Sequence, residues 1–176
     1  MSTFLPILVI IANMQVVQPV IIKTPDIEVI FTPRTPNQMG SFYEARGFPK
    51  PMLNILRKQC YITVGISNLS NQKIWLDLTQ WKFSSAGKSL KREHRDYWKK
   101  RWQDLGIPLS KQSTFRWTLI PETLDYLPNE REGGNILLPF TDGDIKVTAH
   151  FATGKNKKGK IITVTTDKLF CAEDAQ

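Results

Sequence analysis

Histidine and cysteine are both scarce in this chain, with two of each among 176 residues. Cys60 and Cys171 stand far apart, and neither has a second metal ligand at short spacing, which argues against a zinc site. His94 and His150 have no nucleophile pattern around them. The strings Gly-x-Ser-x-Gly and His-Glu-x-x-His are both absent. His150 shares strand parity with Lys146 and Thr148, so it is expected to face solvent, and His94 opens a basic helical stretch. Paired carboxylates are few. Asp142 and Asp144 flank Gly143, where turn chemistry accounts for them. Glu130 and Glu132 lie in a polar loop, where a hydrolase reading would have to rest on them alone. No run of about 20 apolar residues is present to cross a bilayer, and no repeat recurs at a period of roughly 20 to 50 residues. The expectation is a non-enzymatic protein with no cofactor and no metal.

What is present is strand alternation. Cys60, Ile62, Val64 and Ile66 fall at every second position, as do Ile74, Leu76 and Leu78, with the turn formers Asn68-Leu-Ser-Asn-Gln72 between them. Alternation puts each apolar set on one face, so the pair reads as an antiparallel connection. Phe115, Trp117 and Leu119 alternate in Thr114 to Ile120, which predicts another strand. Further strands are predicted at Asn135 to Leu138, at Ile145 to Phe151, and at Lys160 to Thr166 across a loop at 155–159. Trp81 to Phe83 and a turn at 84–88 follow the Ile74 strand. Met52, Ile55 and Leu56 at i, i+3 and i+4, behind Pro49 and Pro51, predict a short helix. Glu93 to Leu105 predicts the clearest helix, packing Trp98, Trp102 and Leu105 onto a sheet and ending at Gly106 and Pro108. Thr32 to Gly40, with two prolines and a glycine, reads as a loop.

Seven or eight short strands with one inserted helix make an all-β, antiparallel β-sandwich of immunoglobulin-like pattern. Tyr61-Ile-Thr-Val-Gly-Ile-Ser-Asn-Leu-Ser-Asn-Gln-Lys-Ile-Trp-Leu76 resembles the opening strand pair of immunoglobulin-like modules in bacterial envelope proteins. The resemblance implies a fold and specifies no activity. The organisation expected is a signal segment or N-terminal strand at 1–20, an extension with loop and short helix at 21–58, and a sandwich at 59–167. The inserted helix occupies 93–105, and a tail 168–176.

The N-terminus carries two readings. Phe4 to Ala12 is an uncharged apolar run of a length suited to a secretory signal, although no Lys or Arg precedes it. Val16 to Ile22 and Ile27 to Phe31 read instead as two β-branched strands. In an oxidising compartment Cys60 and Cys171 can bridge, closing most of the domain; in a reducing one Cys60 is a buried apolar residue on its strand.

Charge supplies the partner expectation. The formal net charge is +8, and residues 82 to 101 hold eight Lys or Arg against two carboxylates. Lys91, Arg92, Arg95, Lys99, Lys100 and Arg101 interleave with Tyr97, Trp98 and Trp102, a pattern shared by nucleic-acid binders and membrane-surface helices. A second cluster is Lys155, Lys157, Lys158 and Lys160. The loop Pro128 to Asn135 is the other candidate surface, because Gly133-Gly134 would admit a ligand close to the backbone. The leading expectation is a binding or assembly module of the bacterial envelope that engages a protein or anionic partner. The alternative is a cytoplasmic nucleic-acid binder using 91–102.

Overall fold

The computed structural model describes residues 17–174, so the apolar run at 4–12 lies outside the described residues. Two antiparallel sheets and four helices form a sandwich-like core with a helical layer on one side. In the first sheet the strands run β1 (Val20–Lys23), β2 (Ile27–Arg34), β3 (Gln59–Asn68) and β8 (Arg131–Pro139), in that order. At the centre of the second is β9 (Ile145–Thr153). On one edge β9 pairs with β10 (Ile162–Leu169). Its other edge takes β4 (Ile74–Asp77) and β5 (Lys82–Ser85) in succession, flanked by β7 (Thr123–Tyr126) and β6 (Lys88–Leu90).

Between the sheets the expected alternation holds. Cys60, Ile62, Val64, Ile66, Ile74, Leu76 and Leu78 are buried together with Ile145, Val147, Ala149 and Phe151. Ile27, Val29 and Phe31 join them, and β2 pairs with β3 over eight residues. The part of segment 21–58 that forms β1 and β2 thus pairs into the first sheet, and α1 and α2 follow from it. Ten strands are described, where the sequence suggested seven or eight.

The helices are more numerous than the sequence suggested: α1 (Pro36–Glu44), α2 (Lys50–Leu56), α3 (Arg95–Asp104) and α4 (Leu109–Thr118). They bury Met39, Tyr43, Met52, Leu56, Trp98, Trp102 and Phe115 against Tyr61 of β3 and Leu137 of β8, a second core on the outer face of the first sheet. Three expectations fail here. The supposed loop at 32–40 ends β2 and opens α1, because Thr35 and Gln38 form a capping box and Pro36 occupies the first turn. The supposed strand at 114–120 is the end of α4. Phe115 is buried on the helical core while Trp117 is 84% exposed. On a helix residues two apart point to opposite sides, so Phe115 and Leu119 share the buried face and Trp117 faces out, and alternation over so few residues does not distinguish the two. Leu105, expected to pack, is 45% exposed past the end of α3.

With the first sheet covered on both faces, the outward face of the second is left open among the described residues. Lys82, Lys146 and Thr148 lie on it, exposed or half-buried. That asymmetry positions the candidate site.

Candidate functional site

An open groove of about 660 Å³ runs beside the β5–β6 hairpin. Its floor and walls include Lys82 and Ser84 of β5, Ser89 of β6, Lys146 and Thr148 of β9, and Lys91, Arg92 and His94 from the segment leading into α3. No Asp or Glu lines it among the described residues. The register sets Lys82 opposite Thr148 and Ser84 opposite Lys146. Lys82 and Lys146 are thus diagonal neighbours on one face, ~7–8 Å apart. Both are exposed, and neither joins an ion pair among the described residues. Two like charges on one face repel, weakly while both are exposed to water. An anion set between them would turn that repulsion into attraction.

The wall at 91–95 is built around Glu122, just before β7. Arg92 grips its carboxylate with both terminal nitrogens, at 3.1 and 2.5 Å, and both side chains are largely buried. One Glu122 oxygen also accepts the Arg95 backbone N–H at 2.8 Å, placing negative charge at the start of α3, where the helix dipole favours it. His94 is the N-cap, its Nδ1 accepting from the Asp96 N–H at 3.1 Å. Arg92 is therefore a structural cation, already paired.

The six cations expected to form one binding surface are divided. Lys91 is exposed, pairs with Glu93 at 3.1 Å, and borders two concavities. Arg95 donates to the Leu119 carbonyl, and burial holds its guanidinium below the ordinary arginine range, with repulsion from Arg116 adding to the effect. Lys100 pairs with Asp104 one helical turn on, at 2.9 Å. Arg101 donates to the Tyr97 hydroxyl at 2.8 Å. Lys99, exposed, lines a small cavity between α3 and α4 together with Arg95. Of the six, only Lys91 and Arg92 reach the main groove. Lys146 was missing from the sequence-based set. Its signal was visible in the outward parity shared with Thr148 and His150. His150 is half-buried, its Nδ1 3.0 Å from the Thr163 hydroxyl. In the second lysine cluster, Lys160 pairs with Asp26 at 2.6 Å and Lys157 sits 5.5 Å from the centre of the Trp75 ring.

The Pro128–Asn135 loop is a correction. Residues 131–135 belong to β8, and Gly133 and Gly134 lie opposite Gly65 and Val64 of β3. A side chain on Gly134 would strike the backbone of Leu119 and Ile120, which crosses there through an Ile120 N–H to Asn135 carbonyl bond of 3.2 Å. The close approach that these glycines permit is to the chain's own backbone.

Cys60 and Cys171 form a disulfide, with their Cα atoms 5.0 Å apart and a separation of 111 residues. Among the described residues no helix is long and apolar enough to cross a membrane, and no group of three or more His, Cys, Asp or Glu could hold a metal.

No family model matches the chain, and no curated protein sequence does. A solved structure similar to it is that of a Bacillus subtilis protein described as a lipoprotein (ycdA), with a TM-score of 0.43 and 9% identity over 84% of this chain. The chain spans 38% of that protein's length.

Proposed function

We propose that the protein is a non-enzymatic binding module of the bacterial envelope, immunoglobulin-like in its sandwich, that captures an acidic segment of a protein partner in the β5–β6 groove. The observation that carries the reading is the groove's lining: Lys82 and Lys146, which join no ion pair among the described residues, with the paired Lys91 and Arg92 at its wall and no carboxylate lining it among the described residues. Hydroxyls of Ser84, Ser89 and Thr148 stand between the cations as donors for carboxylate oxygens. Export is supported by the Cys60–Cys171 disulfide, because such bonds persist in oxidising compartments. Removal of a signal segment from the first 20 residues belongs to the same proposal.

Fluorescence anisotropy with a labelled oligoglutamate peptide tests the groove directly. Binding is expected at low salt and weakens as salt rises, since exposed charges are screened over about 8–10 Å at physiological strength. The double variant Lys82→Glu with Lys146→Glu weakens it by about tenfold or more, four units of charge having changed at an exposed rim. An unaltered affinity in that variant removes the groove from consideration. A single-stranded oligonucleotide of equal charge is the comparison probe. Tighter binding of the oligonucleotide, with a steep salt slope, would favour the cytoplasmic nucleic-acid reading.

A further inference from the structure

A second concavity has a different character and stands apart from the groove. Between α3 and α4 lies a cavity of about 120 Å³ whose walls include Trp98, Trp102 and Phe115. These three rings pack edge to face or stacked within 5.7 Å of one another, so the apolar wall is rigid. At its rim stand Arg95, Lys99 and Arg116, three cations against no carboxylate in the lining. Two anions stand near that rim: Asp96, exposed and 3.8 Å from Arg116, and Glu122, which accepts the Arg95 backbone N–H at 2.8 Å and is already gripped by Arg92. Two polar groups of the lining have unmet hydrogen-bonding capacity. Trp102 is 1% exposed, and its Nε1–H has no partner among the described residues; the Arg95 Nε is likewise buried without one. Such groups cost free energy unless a ligand or water accepts from them.

We infer that this cavity is a binding site for a small amphiphilic carboxylate, its apolar body against Trp98, Trp102 and Phe115 and its carboxylate held by Arg95 and Arg116. Size limits the body: a cavity of about 150 Å³ takes one benzene ring, so a chain of about six carbons fills this one. Charge fixes the head. Arg95 and Arg116 repel each other, and a carboxylate between them removes that repulsion while accepting the orphaned guanidinium proton. The inference does not depend on the β5–β6 groove, since the two sites share no lining residue.

Titration calorimetry and tryptophan fluorescence on the full chain, with hexanoate, hexanol and hexylammonium as probes, test it. Hexanoate is expected to bind about tenfold or more tighter than hexanol, and hexylammonium weakest, with the Trp98 and Trp102 emission shifted on saturation. Arg116→Gln, at a half-exposed position that leaves the core intact, weakens hexanoate about fivefold or more with hexanol unchanged, Arg95 still holding part of the preference. Ser113→Phe, which fills the cavity from an exposed lining position, abolishes both. Equal affinity for hexanoate and hexanol, an unchanged affinity in Arg116→Gln, or no saturation by hexanoate would each overturn the inference.

Discussion

A Cβ on Gly134 would stand 2.7 Å from the Ile120 Cα and from the Leu119 carbonyl carbon, distances that packed atoms do not tolerate. The obstruction is backbone, which cannot rotate aside. Gly134→Ala should therefore destabilise the fold by about 2–3 kcal/mol, in the range of overpacked positions, with urea unfolding as the measurement. An unchanged midpoint would mean that the 119–120 crossing is loose. Glu122 is a second single-residue control point, because Arg92, the Arg95 N–H and the start of α3 all depend on one carboxylate. Glu122→Gln keeps the shape and removes the charge, leaving Arg92 largely buried and unpaired. The expected cost is about 2 kcal/mol by denaturant titration, below the 3–5 of fully buried pairs because both side chains retain some exposure. At this scale the sequence was a partial guide. Gly133-Gly134 was read as room for a ligand, and nothing local revealed that the space is taken by the backbone of Leu119-Ile120. In the same way Arg92 and Arg95 looked like free cations, because the Glu122 carboxylate that holds Arg92 lies 30 residues away and the Leu119 carbonyl that takes the Arg95 guanidinium lies 24 away.

At the scale of elements, the strands that face the inter-sheet core were legible and the helical layer largely was not. Ile145 to Phe151 buries one face only, and clean alternation records that; Cys60 to Ile66 puts its alternating aliphatics between the sheets, while Tyr61 on the opposite face is buried under the helices. Thr114 to Ile120 alternates just as well, yet as far as Thr118 it belongs to α4, where Phe115 packs on Trp98 and Trp102. The helical layer has its own titration behaviour. Burial pushes the Tyr43 phenol up to about 12, partly offset by its 2.8 Å hydrogen bond with Thr118, and burial raises Tyr61 beside it as well. A raised folded value means that the stabilisation is fully present below the unfolded value of about 10. It is lost as pH climbs from there through about 12. Tyr43 alone contributes about 3 kcal/mol to that loss. Far-ultraviolet dichroism with tyrosinate absorbance should show cooperative alkaline unfolding between pH 10 and 12, and tyrosines ionising near 10 with the fold intact would contradict it.

For the whole molecule, one covalent link joins the first sheet to the C-terminal segment. The Cys60–Cys171 bond closes a loop of 111 residues, worth about 4–5 kcal/mol through the restricted unfolded chain. Reduction should lower the unfolding free energy by about that amount while the aliphatic core keeps the fold cooperative, as thermal scans with and without reductant would show. Equal scans would make the bond irrelevant to stability. The positive charge is likewise a property of the assembled fold. Lys82, Lys91, Arg92 and Lys146 come from β5, β9 and the α3 approach, and no short stretch of sequence contains all four. Pairing of β5 with β9 is what makes them neighbours. The run from 91 to 101, so prominent in the sequence, is instead divided among three concavities and its own ion pairs.

Nitrogen-15 amide shift mapping with an oligoglutamate peptide at low salt tests the cationic groove most directly. Perturbations should concentrate at residues 82–92 and 146–148 and vanish in Lys82→Glu with Lys146→Glu. Shifts confined to 95–104 or 131–139, or none at any concentration, would contradict the groove as the binding surface.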